Sequence, residues 1–216
     1  MERTITVKGT GTAAFVPDRA EIPITLVTQH QDYEQTVRKS GEQLAQLRES
    51  LQETGFARED IKTRSFDVSP QHESERGADG EWHRVFKGYR CTHALCVSFE
   101  RNPDRLARVL SMLAACPAKP DFSVRFTVSD RNAVSRKLLQ SAAENAREKA
   151  GLLCEASGVR LGELVNIDYS WGELNVYSAA EIGFAAKAQE DFCPDIEPEE
   201  IENSETVTFV WRIEKE

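Results

Sequence analysis

Polar and apolar residues alternate almost from the first position: Ile5, Val7, Gly9, Gly11, Ala13 and Phe15 take one side, and Thr4, Thr6, Lys8, Thr10 and Thr12 take the other. That period of two predicts a strand with one buried face. Ala20, Ile22, Ile24 and Leu26 repeat the pattern, and Val16-Pro17-Asp18-Arg19 between the runs carries turn residues, so an N-terminal β-hairpin is expected. The spacing then changes. Tyr33, Val37, Leu44, Leu47 and Leu51 recur at helical intervals between a capping signal at Asp32 and a stop at Gly55, which predicts a helix from about Asp32 to Thr54.

Further along, Ile61 to Pro70 reads as a strand, and Val85, Tyr89, Cys91, His93, Leu95, Val97 and Phe99 share one parity as another. The stretch between them, "QHESERGADGEWHR" at 71–84, is polar and glycine-bearing and is expected to be a hairpin loop. Asn102-Pro103 caps a second helix with Leu106, Val109, Leu110 and Leu113 as its stripe. Phe122, Val124, Phe126 and Val128 form a strand, and a long helix follows Ser129-Asp130, with Val134, Leu138, Ala142, Ala146, Ala150 and Leu153 on a narrow face. Val165, Ile167 and Tyr169 suggest one strand, and Val207, Phe209, Trp211 and Ile213 the last.

Between Ala20 and Ser129 the order is strand, helix, strand, strand, helix, strand, which is the split βαβ or ferredoxin-like sequence. The expected fold is therefore α+β: a largely antiparallel sheet with that core, the N-terminal hairpin and one long additional helix. No linker divides the pattern, so a single domain over residues 1–216 is expected, with the polar loop at 71–84 and a long acidic loop at 171–204.

Composition narrows the function classes. Thirty-six acidic residues against 27 basic ones give a net charge of -9, which argues against a nucleic-acid partner, and no run is long and apolar enough to suggest a membrane span. No export signal opens the sequence, and the five cysteines form no C-x-x-C pair; both point to the cytoplasm.

Candidate chemistry yields mostly structural readings. Gly9, Gly11 and Ala14 match G-x-G-x-x-A, but a dinucleotide site needs a helix to start inside that motif. Pro17 and a second strand follow instead, so the glycines are expected to admit a neighbouring element and no cofactor is assigned. "CTHALC" places Cys91 and His93 on one strand face and Cys96 on the other, so core packing is expected rather than a metal site. His72 and His83 read as exposed loop histidines, and Asp130 as a helix cap. No catalytic residue is assigned. A rival reading is a small-ligand binder or enzyme with a cleft beneath the 171–204 loop, where Trp171, Tyr177 and Phe184 supply ligand or partner contacts.

Several stretches taken together resemble the SIMPL-domain family. They are "VKGTGTAAFVPDRAEI", "GFAREDIKTRSFDVSP", "KGYRCTHALCVSF", "FTVSDR", "AAENAREKAGLLCEASGVRLGELVNI" and "ENSETVTFVWRI", in that order along nearly the whole chain. The resemblance implies an α+β fold, no established catalytic activity, ring-like homo-oligomers among some bacterial members and an association with oxidative or envelope stress. Bacterial relatives commonly carry an export signal. The resulting expectation is a non-enzymatic, cytoplasmic module that forms a homo-oligomer or binds a protein partner, with a stress-related role.

Overall fold

The computed structural model describes residues 3–76, 81–170, 176–178, 196–215 and, for the backbone, 182–184. The elements in chain order are β1 (Thr4–Phe15), β2 (Arg19–His30), α1 (Tyr33–Glu53), a 3-10 turn (Arg58–Asp60), β3 (Lys62–Arg76) and β4 (Trp82–Glu100). They continue with α2 (Pro103–Ala115), β5 (Asp121–Thr127), α3 (Arg131–Ala156), β6 (Val159–Asp168), β7 (Ile182–Phe184) and β8 (Ile201–Lys215). The expected α+β class with antiparallel sheets is what the chain adopts.

Contacts divide the chain into two compact units, each assembled from separate segments. The first takes Met1–Pro17, Thr127–Ala179 and Glu199–Glu216, and the second Asp18–Phe126 and Ala180–Pro198. The boundary at 126/127 falls inside β5, where no composition change marks it.

The first unit is a three-stranded sheet in the order β1-β8-β6 with α3 on one face. Here one expectation fails. β1 does not pair with β2; it pairs antiparallel with β8, from Thr4 opposite Arg212 to Phe15 opposite Ile201. Alternation specifies which face of a strand is buried but not which strand lies beside it, and the Val16-Pro17-Asp18 segment, with Pro17 buried between two exposed neighbours, passes from one unit to the other rather than forming a hairpin turn.

The glycines of β1 set how closely α3 can approach. A Cβ at Gly9 would sit 2.6 Å from the Ala146 Cβ and closer still to the Ala142 carbonyl; one at Gly11 would lie 2.7 Å from the Ala142 N and closer to the Leu138 carbonyl. Helix and strand therefore meet backbone to backbone. Ala142, Ala146 and Ala150 continue the same narrow face and pack with Val7, Val207, Phe209 and Trp211. Leu153, expected on that face, is exposed, and Cys154, one turn on from Ala150, is buried in its place because four residues return a helix to the same side and three fall short of it here. The expectation that Gly9 and Gly11 admit a neighbouring element is met, with α3 as that neighbour.

The second unit carries five strands in the order β3-β4-β2-β5-β7. Its first four follow the ferredoxin-like arrangement expected from the element order, with β4 inserted between β2 and β3 and antiparallel to both. One face is apolar: Ile22, Ile24 and Leu26 of β2 and Leu95, Val97 and Phe99 of β4 pack with Leu47 and Leu51 of α1 and Leu106, Val109, Leu110 and Leu113 of α2. Each fully buried Leu or Ile contributes about 1.5–3 kcal/mol. All three helices start on the side-chain caps read from sequence. Asp32 accepts from the Gln35 N–H (2.9 Å), Asn102 from Arg105 (2.9 Å) and Asp130 from Ala133 (2.8 Å).

Two further boundaries move. β6 begins at Val159, directly after Gly158 (φ 64°) ends α3, and it stops at Asp168, before Tyr169. Residues 201–204, expected in the acidic loop, belong to β8.

Candidate functional site

The polar stretch at 71–84 is mostly strand rather than loop. β3 runs to Arg76 and β4 starts at Trp82, with His72 opposite Phe86, Ser74 opposite Arg84 and Arg76 opposite Trp82. The partnership of β4 with β2 ends at His30 opposite Tyr89. Beyond that point β3 and β4 continue as a ribbon of two strands, with Gln71–Arg76 spanning about 20 Å at about 3.4 Å per residue. This is why its sequence shows no apolar period: among the described residues no third strand pairs with it, and neither face is a core face.

A bulge sits at the root of this arm. The register steps from Gln71 opposite Gly88 to His72 opposite Phe86, leaving Lys87 as the extra residue. Gly88 adopts φ 119°, and a Cβ there would lie 2.8 Å from the Gln31 Cα and closer to the His30 carbonyl. The Lys87 ammonium bonds the Glu75 carboxylate, which holds the Lys87 pKa above its ordinary value. The bulge also reverses parity. Val85, expected beside Tyr89, turns to the opposite face, and Phe86 takes its place.

Phe86 therefore joins the side that α1 covers farther along the sheet, where Cys91 meets Ser40 (3.3 Å). Four rings line up there edge to face: Tyr33 on Tyr89 (5.4 Å), Tyr89 on Phe86 (5.3 Å) and Phe86 on His72 (5.6 Å). Each such pair contributes about 0.5–1.5 kcal/mol beyond burial. Much of this surface faces water all the same. Trp82 is 71% exposed, Phe66 51% and Phe86 46%, and the outer half of Tyr33 and Val37, read as core positions of α1, is also uncovered.

Arg84 donates to His72 Nδ1 (3.5 Å) within the same face, so the arm presents aromatic rings interleaved with cationic groups. His72 and His83 fall on opposite faces of the ribbon, and among the described residues no three His, Cys, Asp or Glu side chains group as a metal site.

Cys91 and His93 lie in the core as expected, and Cys96, on the other face, is buried as well. Thr63 pairs with His93 Nε2 at 3.2 Å and Phe66 stands on its ring at 5.0 Å. Burial, and then the charge of Arg48, push the His93 pKa below its usual value.

The three aromatic contacts expected in the 171–204 stretch separate. Tyr177 belongs to the first unit, where its backbone bridges Thr127, the Arg131 guanidinium donates to its hydroxyl (3.2 Å), and Val176 beside it accepts from the Thr127 hydroxyl (2.8 Å). Phe184 belongs to the second, its backbone opposite Phe122 in β7. Trp171 lies outside the described residues. The arm itself was missed by sequence reasoning; the one available signal was Trp82 with Phe86, two large apolar residues at the border of a stretch otherwise too polar to bury.

A ferredoxin-like unit with a two-stranded aromatic ribbon, joined in one chain with a helix-backed three-stranded unit, defines an α+β protein. The chain belongs to the SIMPL family, described as proteins of unknown function (DUF541), whose family model matches residues 5–211.

It is similar to "Uncharacterized protein YggE" of Escherichia coli K12, 24% identical over 165 residues, and to the "26 kDa periplasmic immunogenic protein" of Brucella abortus, 22% identical over 163. In both cases the alignment covers 76% of this chain and 65% of the relative, so the match spans less than two thirds of those proteins. Among solved structures, the regulatory subunit of aspartate kinase from Thermus flavus aligns over 94% of this chain and 88% of its own, at 10% identity and a TM-score of 0.18, too low to bear on the fold. Among the described residues, no helix is long and apolar enough to cross a membrane.

Proposed function

We propose that the protein is a non-enzymatic interaction module that self-associates, with the β3–β4 arm as its contact. The observation that carries this reading is the uncovered aromatic face of the ribbon. An isolated two-stranded hairpin is marginally stable in water, and exposed rings gathered on one face characterise surfaces that meet another protein. β3 also stands at the edge of its sheet, where Pro70 and the bulge at Arg64 discourage indiscriminate strand pairing and leave side-chain contacts to select the partner.

Native mass spectrometry of the chain across concentration tests the assembly. A defined oligomer is expected, and the double variant Trp82→Ala/Phe86→Ala should shift it to monomer. A strict monomer at about 100 µM, where a micromolar contact is saturated, overturns the reading.

The cytoplasm is the compartment this reading assigns. Cys91, Cys96, Cys116 and Cys154 are buried thiols, as suits a reducing environment. Cell fractionation decides between that and the periplasm named for the Brucella relative. The stress role rests on family resemblance and is tested by survival of a deletion strain under peroxide. Trp171, Tyr177 and Phe184 are retained as proposed ligand or partner contacts; substituting each to Ala in a metabolite-library thermal-shift screen tests them.

A further inference from the structure

The second unit contains a cavity of about 350 Å³ lined by Arg48, Gln52, Phe56, Ala57, Arg58 and Ile61. Its size is at the lower end for a small-molecule site. Local sequence builds it simply. Arg48 and Gln52 stand one turn apart on α1, the chain leaves the helix through Gly55 (φ 84°), and the 3-10 turn brings Arg58 back toward them. Phe56 and Ile61 are buried and form an apolar floor.

The electrostatics of this cavity are unusual for this chain. Acidic residues outnumber basic ones 36 to 27, yet among the described residues neither Arg48 nor Arg58 has an ion-pair partner. The Arg48 Nε is buried with no hydrogen-bond acceptor, an arrangement that costs about 1–3 kcal/mol if nothing fills it. A third guanidinium, that of Arg105, lies 4.7 Å over the Phe56 ring.

The carboxylates nearest in sequence, Glu49, Glu53, Glu59 and Asp60, do not line the cavity, and Asp60 instead accepts the Ala57 N–H (2.8 Å). The Leu51 carbonyl accepts from Thr54 (3.0 Å) and Phe56 (3.3 Å), and the Gln52 carbonyl accepts from Gly55 (3.0 Å). The charged side chains of the lining are therefore Arg48 and Arg58, against about half a negative charge at the C-terminus of α1. The balance favours an anion.

We propose that this cavity binds a small organic anion, its carboxylate or phosphate oxygens held by Arg48 and Arg58 and its apolar body against Phe56 and Ile61. Guanidinium forks match the geometry of both oxyanions, and Gln52 offers a further donor at the rim. The proposal is independent of the arm. It makes the second unit a receptor for a metabolite-sized ligand, and it predicts a spectroscopic signature: burial chiefly and the Arg48 charge secondarily hold the His93 pKa down, and an anion seated on Arg48 offsets the second of these, so the His93 midpoint rises on binding.

Calorimetric and NMR titrations of the full chain test this with benzoate, phenyl phosphate, inorganic phosphate and benzyl alcohol. At least one aromatic anion is expected to bind saturably with a Kd of about 1 mM or tighter, to raise the His93 midpoint, and to bind about tenfold more weakly to Arg48→Gln and to Arg58→Gln. Arg58 is exposed, so its variant keeps the test valid where Arg48→Gln is poorly folded. A preference for benzoate assigns a carboxylate ligand, and a preference for phenyl phosphate assigns a phosphate. The proposal is overturned if neither anion saturates, if benzyl alcohol binds as well as benzoate, if inorganic phosphate binds as well as phenyl phosphate, or if Arg58→Gln leaves binding unchanged.

Discussion

β1 and the β3–β4 arm are both long strands, and they solve opposite problems. β1 turns Gly9 and Gly11 toward α3 and brings the helix to backbone distance, so that face has no room for a side chain. The arm carries Trp82 and Phe86 on one face, largely exposed to water. Small residues on a strand face thus mark contact already made within the molecule, whereas large ones on an uncovered ribbon mark contact still available to another.

Substitutions that invert the two designs give the sharpest tests. Gly11→Val forces a side chain into the Leu138 and Ala142 backbone, so a loss of about 3 kcal/mol or more is expected in thermal unfolding, with hydrogen exchange showing β1 and α3 unprotected first. A variant of wild-type stability would mean that α3 does not approach β1 this closely. Gly88→Val, at the root of the arm, should cost less, about 2 kcal/mol, since it strains one bulge against His30 rather than a whole helix. At the tip, Trp82→Ala should change stability by no more than about 0.5 kcal/mol while abolishing assembly, which separates a contact surface from a core.

The smallest effect expected is on pH dependence. The folded-state pKa of His93 lies below the unfolded value near 6.5, so the unfolded chain binds the extra proton first. The stabilising contribution is complete above the unfolded pKa and is lost as pH falls from there through the folded one. Denaturant midpoints measured between about pH 7.5 and 5 should decline less steeply in His93→Gln than in the parent. An identical slope would show that this imidazole charges as readily in the folded chain as in the unfolded one.

The same contrast explains what could be read from sequence. Where a face is buried the period is legible: Val7, Gly9 and Gly11, the α2 stripe from Leu106 to Leu113, and the caps at Asp32, Asn102 and Asp130 all stand where the pattern put them. Pairing was not legible. Nothing in Ile5 or Val7 distinguishes β2 from β8 as a neighbour, and the expected hairpin failed for that reason. The arm escaped because His72 to Arg76 and Trp82 to Phe86 have no core to face, and because the extra residue at Lys87 shifts parity without changing composition. Arg48 and Arg58 are ten positions apart and look like ordinary surface cations until α1 and the 3-10 turn fold them onto one cavity.

The pairing of Thr4 with Arg212 has a consequence for how the molecule is made. β1 must wait for β8, so the sheet of the first unit cannot close until every element between them has been synthesised. All four strands of the ferredoxin-like arrangement, by contrast, have been synthesised by Thr127. A contact between strands this far apart in sequence closes slowly, and during that interval β1, with its glycine-bearing face uncovered, is an unpaired edge.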